Sequence, residues 1–155
     1  MITTQFTPPQ AALVAIDIAK NRHEVLIDPG AGMRRRRLSV LNNRAEHDRL
    51  VATLRDLGRP VIVGFEPTGN YHRVLAHRLI SAGFETRLIS SMALARTREA
   101  LHNGWDKNDP KDAQVILHML RIGATTVYSA PGYGRLNDLQ ELSKTHDMVS
   151  RAKTE

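Results

Sequence analysis

Two hydrophobic rhythms run through this chain, and their order limits the folds open to it. Before residue 42 the apolar residues fall in short alternating segments, at 11–19, 23–28 and 34–40. Alternation of that kind is the signature of a strand with two distinct faces. In the first segment Val14, Ile16 and Ile18 share one face, and Leu13, Ala15 and Asp17 the other. Pro29-Gly30-Ala31-Gly32 supplies turn chemistry, so the opening reads as an antiparallel meander. After residue 42 the rhythm becomes helical. Asn43 followed by Glu46 is a capping-box pattern, with Leu50, Val51, Leu54 and Leu57 as a stripe and Gly58 as the stop. Residues 60–65 form a nearly all-apolar strand, which requires cover on both faces. A helix with Val74, Leu75 and Leu79 inward follows and ends at Gly83; residues 84–89 are the fifth strand.

Ser90 or Ser91 caps a further helix that runs to about His102, and another spans residues 110–122 with Gly123 as its end. Short connections suit antiparallel neighbours and helical crossovers suit parallel ones. The expectation is an α/β domain with a mixed five-stranded sheet flanked by helices, the outline of the ribonuclease H-like fold. Residues 1–10 read as a flexible leader, 11–124 as the domain and 125–135 as a linker. Residues 136–155 carry a helical stripe at Leu136, Leu139, Leu142 and Val149 with no stop signal, as expected of a helix that continues into a longer protein.

Four carboxylates stand out against this frame. Asp17 interrupts an apolar strand, Glu66 ends another, and Asp109 and Asp112 open a helix three residues apart. Side-by-side first and fourth strands would bring Asp17 towards Glu66. Like charges at ~4 Å repel by about 4 kcal/mol at an effective dielectric near 20, and a divalent cation relieves that conflict. Magnesium, or manganese, suits an all-oxygen donor set. Simpler readings exist. Asp109-Pro110-Lys111-Asp112 is also a good helix start, and Glu66-Pro67-Thr68-Gly69 a strand-to-helix turn.

The 22 Lys and Arg exceed the 16 Asp and Glu in 155 residues, a net charge of +6, which favours a phosphate-bearing partner. Candidate nucleic-acid contacts are Arg34, Arg35, Arg36 and Arg37, and, near the acidic pair, Arg96, Arg98, Lys107 and Lys111. In a strand, one alternate pair of the four arginines could face a phosphate backbone; equally, the run could protect an exposed sheet edge. Trp105 fits either a base stack or the core. The absence of cysteine excludes disulfides, thiolate zinc sites and cysteine nucleophiles. The seven histidines are scattered, which argues against a histidine metal site and places most of them at the surface. Residues 1–9 lack signal-peptide features and no apolar run reaches the ~20 residues of a membrane span. The expected setting is the cytoplasm.

The blocks Val14-Ala15-Ile16-Asp17-Ile18-Ala19-Lys20, Phe65-Glu66-Pro67-Thr68-Gly69-Asn70-Tyr71 and Lys107-Asn108-Asp109-Pro110-Lys111-Asp112-Ala113 resemble the DEDD transposases of bacterial insertion sequences, the IS-one-ten group. The N-terminal domain of that group is similar to RuvC Holliday-junction resolvases. The resemblance covers nearly the whole chain; Asn108 and Pro110 depart from the usual residues around the first Asp of the last block. It implies that Asp17, Glu66, Asp109 and Asp112 bind magnesium and serve DNA strand cleavage and exchange during transposition. It also implies an element-encoded guide RNA, a homo-oligomer acting on nucleoid DNA, and a separate C-terminal domain that supplies a serine nucleophile. The present chain alone is then expected to be weakly active at most. Competing readings are a nucleic-acid-binding module without catalysis, a Holliday-junction-type nuclease, and a phosphotransferase of the sugar-kinase and actin type. The last is disfavoured because Ala19-Lys20-Asn21 stands where glycines would be expected.

Overall fold

A computed structural model describes residues 10–30, 32–101 and 111–128. Its centre is β1 (Ala12–Asp17), which pairs antiparallel with β2 (Arg22–Asp28) and parallel with β4 (Val61–Phe65). β3 (Arg36–Leu41) pairs antiparallel with β2, and β5 (Glu85–Leu88) parallel with β4. The meander and the parallel second half are as the sequence predicts. Among the described residues, however, the sheet has six strands in the order β3-β2-β1-β4-β5-β6, not five. The extra one, β6 (Thr126–Val127), pairs antiparallel with β5 in the segment read as linker. Two residues are too few to show an alternating pattern.

Among the described residues, two helices cover each face. α1 (Arg44–Arg55) and α2 (Arg73–Ser81) enclose one core with Ala12, Val14, Ile16 and Ile18. α3 (Ser91–Leu101) and α4 (Lys111–Ile122) enclose the other with Leu13 and Ala15. β1 is therefore apolar on both sides, and Asp17 falls by parity on the α4 face. Asn43 caps α1 by accepting from the Glu46 N–H (2.9 Å). On α2 the inward residues are Leu75, Ala76 and Leu79, while Val74 is 65% exposed. Leu75 and Leu79 face inward as expected, and Ala76 rather than Val74 completes the stripe.

The histidines also depart from expectation. Of the five that are described, His23, His47 and His72 are buried. His23 and His47 stack with ring centres 6.2 Å apart, and the His47 Nε2 meets Asn42 Oδ1 at 3.1 Å. His72 packs on Phe65 and Tyr128. These rings fill the place of the aromatic side chains that the chain mostly lacks. Burial lowers the pKa of all three below the ordinary histidine value.

α4 lies across β1, β2 and β4, and a gap in side-chain volume lets it approach. Gly64 is in register with Ala15, and a Cβ at position 64 would stand 2.5 Å from Leu120 Cδ2. Gly64→Ala is therefore expected to push α4 off the sheet and to cost roughly 1–3 kcal/mol, measured as a fall in the thermal unfolding midpoint. An unchanged midpoint would show that Leu120 swings aside freely.

Candidate active site at the carboxyl ends of β1 and β4

β1 ends at Asp17 and β4 ends at Phe65, with Ile16 opposite Phe65 in the parallel register. Glu66 therefore emerges beside Asp17. On its other side Asp17 faces Glu24 across the antiparallel ladder. Asp112 lies in the first turn of α4, the helix packed over β1. The pKa of Asp17 is raised to about 6, first by burial, then by the charges of Asp112, Glu66 and Glu24, with Arg98 acting in the opposite direction. Asp17, Glu66 and Asp112 are thus brought within electrostatic reach of one another. Asp109 and Lys107 lie outside the described residues, as does Trp105.

Glu24 is the acid that sequence reasoning misses. It accepts from Ser39 Oγ at 2.8 and 3.0 Å, which orients it along the sheet. A signal for it exists in the chain: pairing 11–19 against 23–28 as a hairpin sets Glu24 near Asp17. Asp112 Oδ1 accepts from Arg98 Nη2 at 2.6 Å, with both side chains about 40% exposed. Arg98, read as a nucleic-acid contact, is thus an ion-pair partner within the acidic cluster.

The donor set is all carboxylate, and the crowding that raises the Asp17 pKa is of the kind that a hard divalent cation relieves. Asp17, Glu66 and Asp112 fit such an ion chemically. Among the described residues, no three acidic or histidine side chains stand close enough together to enclose one.

The third strand starts later than expected, so only Arg36 and Arg37 lie in β3, the edge strand, and Arg34 and Arg35 precede it. Arg37 is opposite Leu26, on the α4 face, and lines a small cleft with Glu24 and Ala113. Arg35 approaches Asp28 at 3.8 Å, and Arg121 of α4 pairs with the same Asp28 carboxylate. Arg36 is opposite Ile27 and so points to the other face. Arg34 and Arg96 are exposed, and Lys111 opens α4. Arg37, and Arg35 through its contact with Asp28, therefore lie on the side of the sheet that carries the acids.

A transposase family model, DEDD_Tnp_IS110, matches residues 14–155. No curated protein matches the chain. Among solved structures, Thermus thermophilus RuvC is similar with 13% identity and a TM-score of 0.50, covering 76% of this chain and 99% of that one. T. thermophilus RuvC in complex with Holliday junction substrate gives 14% identity, a TM-score of 0.44 and the same coverages. The likeness to the first shows a RuvC-like, ribonuclease H-like fold.

Two linkages of opposite sign follow from the shifted groups. Asp17 has a raised folded pKa, so its ionisation destabilises the fold as pH rises from about 4 through about 6. The buried histidines have lowered folded pKa values, so their contribution is full above pH ~6.5 and is lost as pH falls below it. Without divalent ions, Asp17→Asn is expected to stabilise the protein at pH 7 by on the order of 1–2 kcal/mol after allowance for solvent screening. The fall in melting temperature from pH 7 to 5 should be steeper in that variant. A destabilised Asp17→Asn at pH 7 would contradict the crowding.

Proposed function

The chain belongs to the IS110-type DEDD transposase family, and from that premise we propose that its acids form the cation-dependent strand-cleaving half of a DNA transposase active site. The single observation that carries this reading is the placement of Glu66 beside Asp17 at the ends of paired parallel strands, with Glu24 opposite it and Asp112 in the first turn of the helix packed over β1. Acids crowded in this way destabilise the free protein and have an evident use once a cation joins them. Asp17, Glu66 and Asp112 are the proposed ligands, with Asp109 as the fourth by family pattern. Bound there, magnesium or manganese would polarise the scissile phosphate and stabilise the attacking and leaving oxygens.

The remaining steps belong to the chain's own residues. Glu24, held by Ser39, keeps negative charge beside Asp17 and favours a cation there. Arg98 pairs with Asp112; released from it, its guanidinium could hold a phosphate oxygen of the DNA. Arg35 and Arg37 extend a positive track along the same side of the sheet. In line with the family, the proposed setting is bacterial DNA in the cytoplasm, with an element-encoded RNA as guide and further copies of the chain as partners. The nucleophile would come from a domain beyond residues 11–124. The Arg98–Asp112 pair also favours a second reading, a module that holds nucleic acid without cutting it.

Calorimetric titration with manganese separates the two. Asp17→Asn and Glu66→Gln should weaken binding at least tenfold, and Arg98→Ala should strengthen it about 2–5-fold by removing the competitor for Asp112. Unchanged affinity in the first two variants would remove the metal site and leave the binding module. A second measurement addresses the basic track. Single-stranded DNA binding should weaken with salt, and replacing Arg35 and Arg37 with alanine should reduce the log–log salt slope by about 1 for each phosphate left without its arginine. Equal slopes would place the DNA elsewhere.

A further inference from the structure

Asp17 and Glu66 are carried by two different segments, and the chain ties those segments together from behind. Asp17 closes β1 and leads into the turn at residues 18–21; Glu66 follows β4 and opens the loop at residues 66–72 that leads to α2. The paired register of β1 and β4 ends at Ile16 and Phe65. Past that point, the separation of the two carboxylates depends on what holds the turn to the loop.

Asn42, the residue after β3, bridges them. Its backbone N–H donates to the Asn21 carbonyl (2.9 Å). Its side-chain amide donates to the Lys20 carbonyl (3.0 Å) and, in a longer contact, to the Tyr71 carbonyl (3.5 Å). Both carbonyls are acceptors only, so the amide nitrogen faces them and Oδ1 faces away. There Oδ1 meets His47 Nε2 at 3.1 Å, which makes that ring the donor. His47 is buried and stacks on His23, and His23 Nδ1 accepts from the Ala19 N–H (3.2 Å). One connected unit therefore holds Ala19, Lys20 and Asn21 and reaches the Glu66 loop through the same amide. His23 alternates with Glu24 on β2 and shares its face with Val25 and Ile27 of the α1–α2 core. The unit thus stands on the opposite face of the sheet from the Asp17 and Glu24 side chains.

The spacing of carboxylates matters differently to different cations. Magnesium demands near-ideal octahedral geometry at about 2.0–2.1 Å, whereas calcium accepts about 6–8 oxygens at about 2.3–2.6 Å in flexible arrangements. We propose that Asn42 is a positioning residue for the cation site: by bridging the turn after Asp17 and the loop after Glu66, it holds the two carboxylates at the separation a small ion requires and so favours magnesium over calcium. The proposal rests on the cation reading above and assigns the selectivity of that site to a residue outside the donor set.

Magnesium and calcium affinities, measured by calorimetry on the full chain, test it. Asn42→Asp keeps an oxygen for His47 and loses both side-chain donors. It should weaken magnesium about 3–10-fold and calcium less than about 2-fold, although its added negative charge alone would strengthen both. Asn42→Ala should shift the ratio in the same direction. His47→Gln retains a donor for Asn42 Oδ1 and should keep the wild-type ratio, whereas His47→Leu should lose it. In the metal-free protein, the Ala19 and Tyr71 amides, both hydrogen-bonded in the structure, should exchange with solvent at least about 3-fold faster in Asn42→Ala, while those of β4 keep their rates. An unchanged magnesium-to-calcium ratio in the two Asn42 variants overturns the proposal, whether both affinities fall together or neither moves. A shifted ratio with unchanged exchange at Ala19 and Tyr71 also overturns it, since the bridge then does not set the site. Wild-type protein that binds neither ion overturns the cation reading and this proposal with it.

Discussion

The parallel pairing of β1 with β4 is the constraint on which the rest of this structure depends. It places the ends of two strands side by side, and each strand is followed at once by an acid or ends in one. The pairing is stable because both strands are apolar on both faces and receive helices on both. The close approach of α4 depends on it too. Gly64 and Ala15 lie in register, and this low patch in the sheet is where Leu120 sits. Asp112 rides on the same helix, so small residues in the middle of the sheet fix the height of a carboxylate at its end.

What gathers at that end opposes folding. Asp17 is half-buried beside three other acids, and its ionisation is resisted by burial and by each of them. A domain stabilised by only ~5–15 kcal/mol carries such repulsion at a real cost. The Arg98–Asp112 pair offsets part of it, although an ion pair with both partners this exposed contributes little. A strained cluster held together by a well-packed core is the pattern expected where the fold is kept for chemistry rather than for stability alone.

The frame of the fold is legible in the sequence because its long-range features rest on local signals. Alternation in 11–19 assigns the faces of β1 correctly, and the all-apolar 60–65 announces a strand covered on both sides. Asn43 with Glu46 marks the start of α1 to the residue. The convergence of Asp17 on Glu66 follows from strand order. Features set by tertiary contact are not legible. β6 is two residues long and exists only through its pairing with β5. The burial of His23 and His47 depends on two rings meeting across β2 and α1. Arg98 looks free in the sequence because its partner is fourteen residues away on another helix. Glu24 needs a strand register, not a motif.

The charge distribution links the two halves of the proposed site. The chain is basic overall, and Arg35 and Arg37 put positive charge on the side of the sheet that carries the acids. The acids at its centre repel the same polyanion. A strand of nucleic acid drawn in by the edge would therefore stop short of Asp17 unless positive charge is added there. On the reading proposed above, a divalent cation would supply that charge, and the phosphate would in turn add ligands and negative charge that retain the cation. Each ligand would then raise the affinity of the other by the same factor.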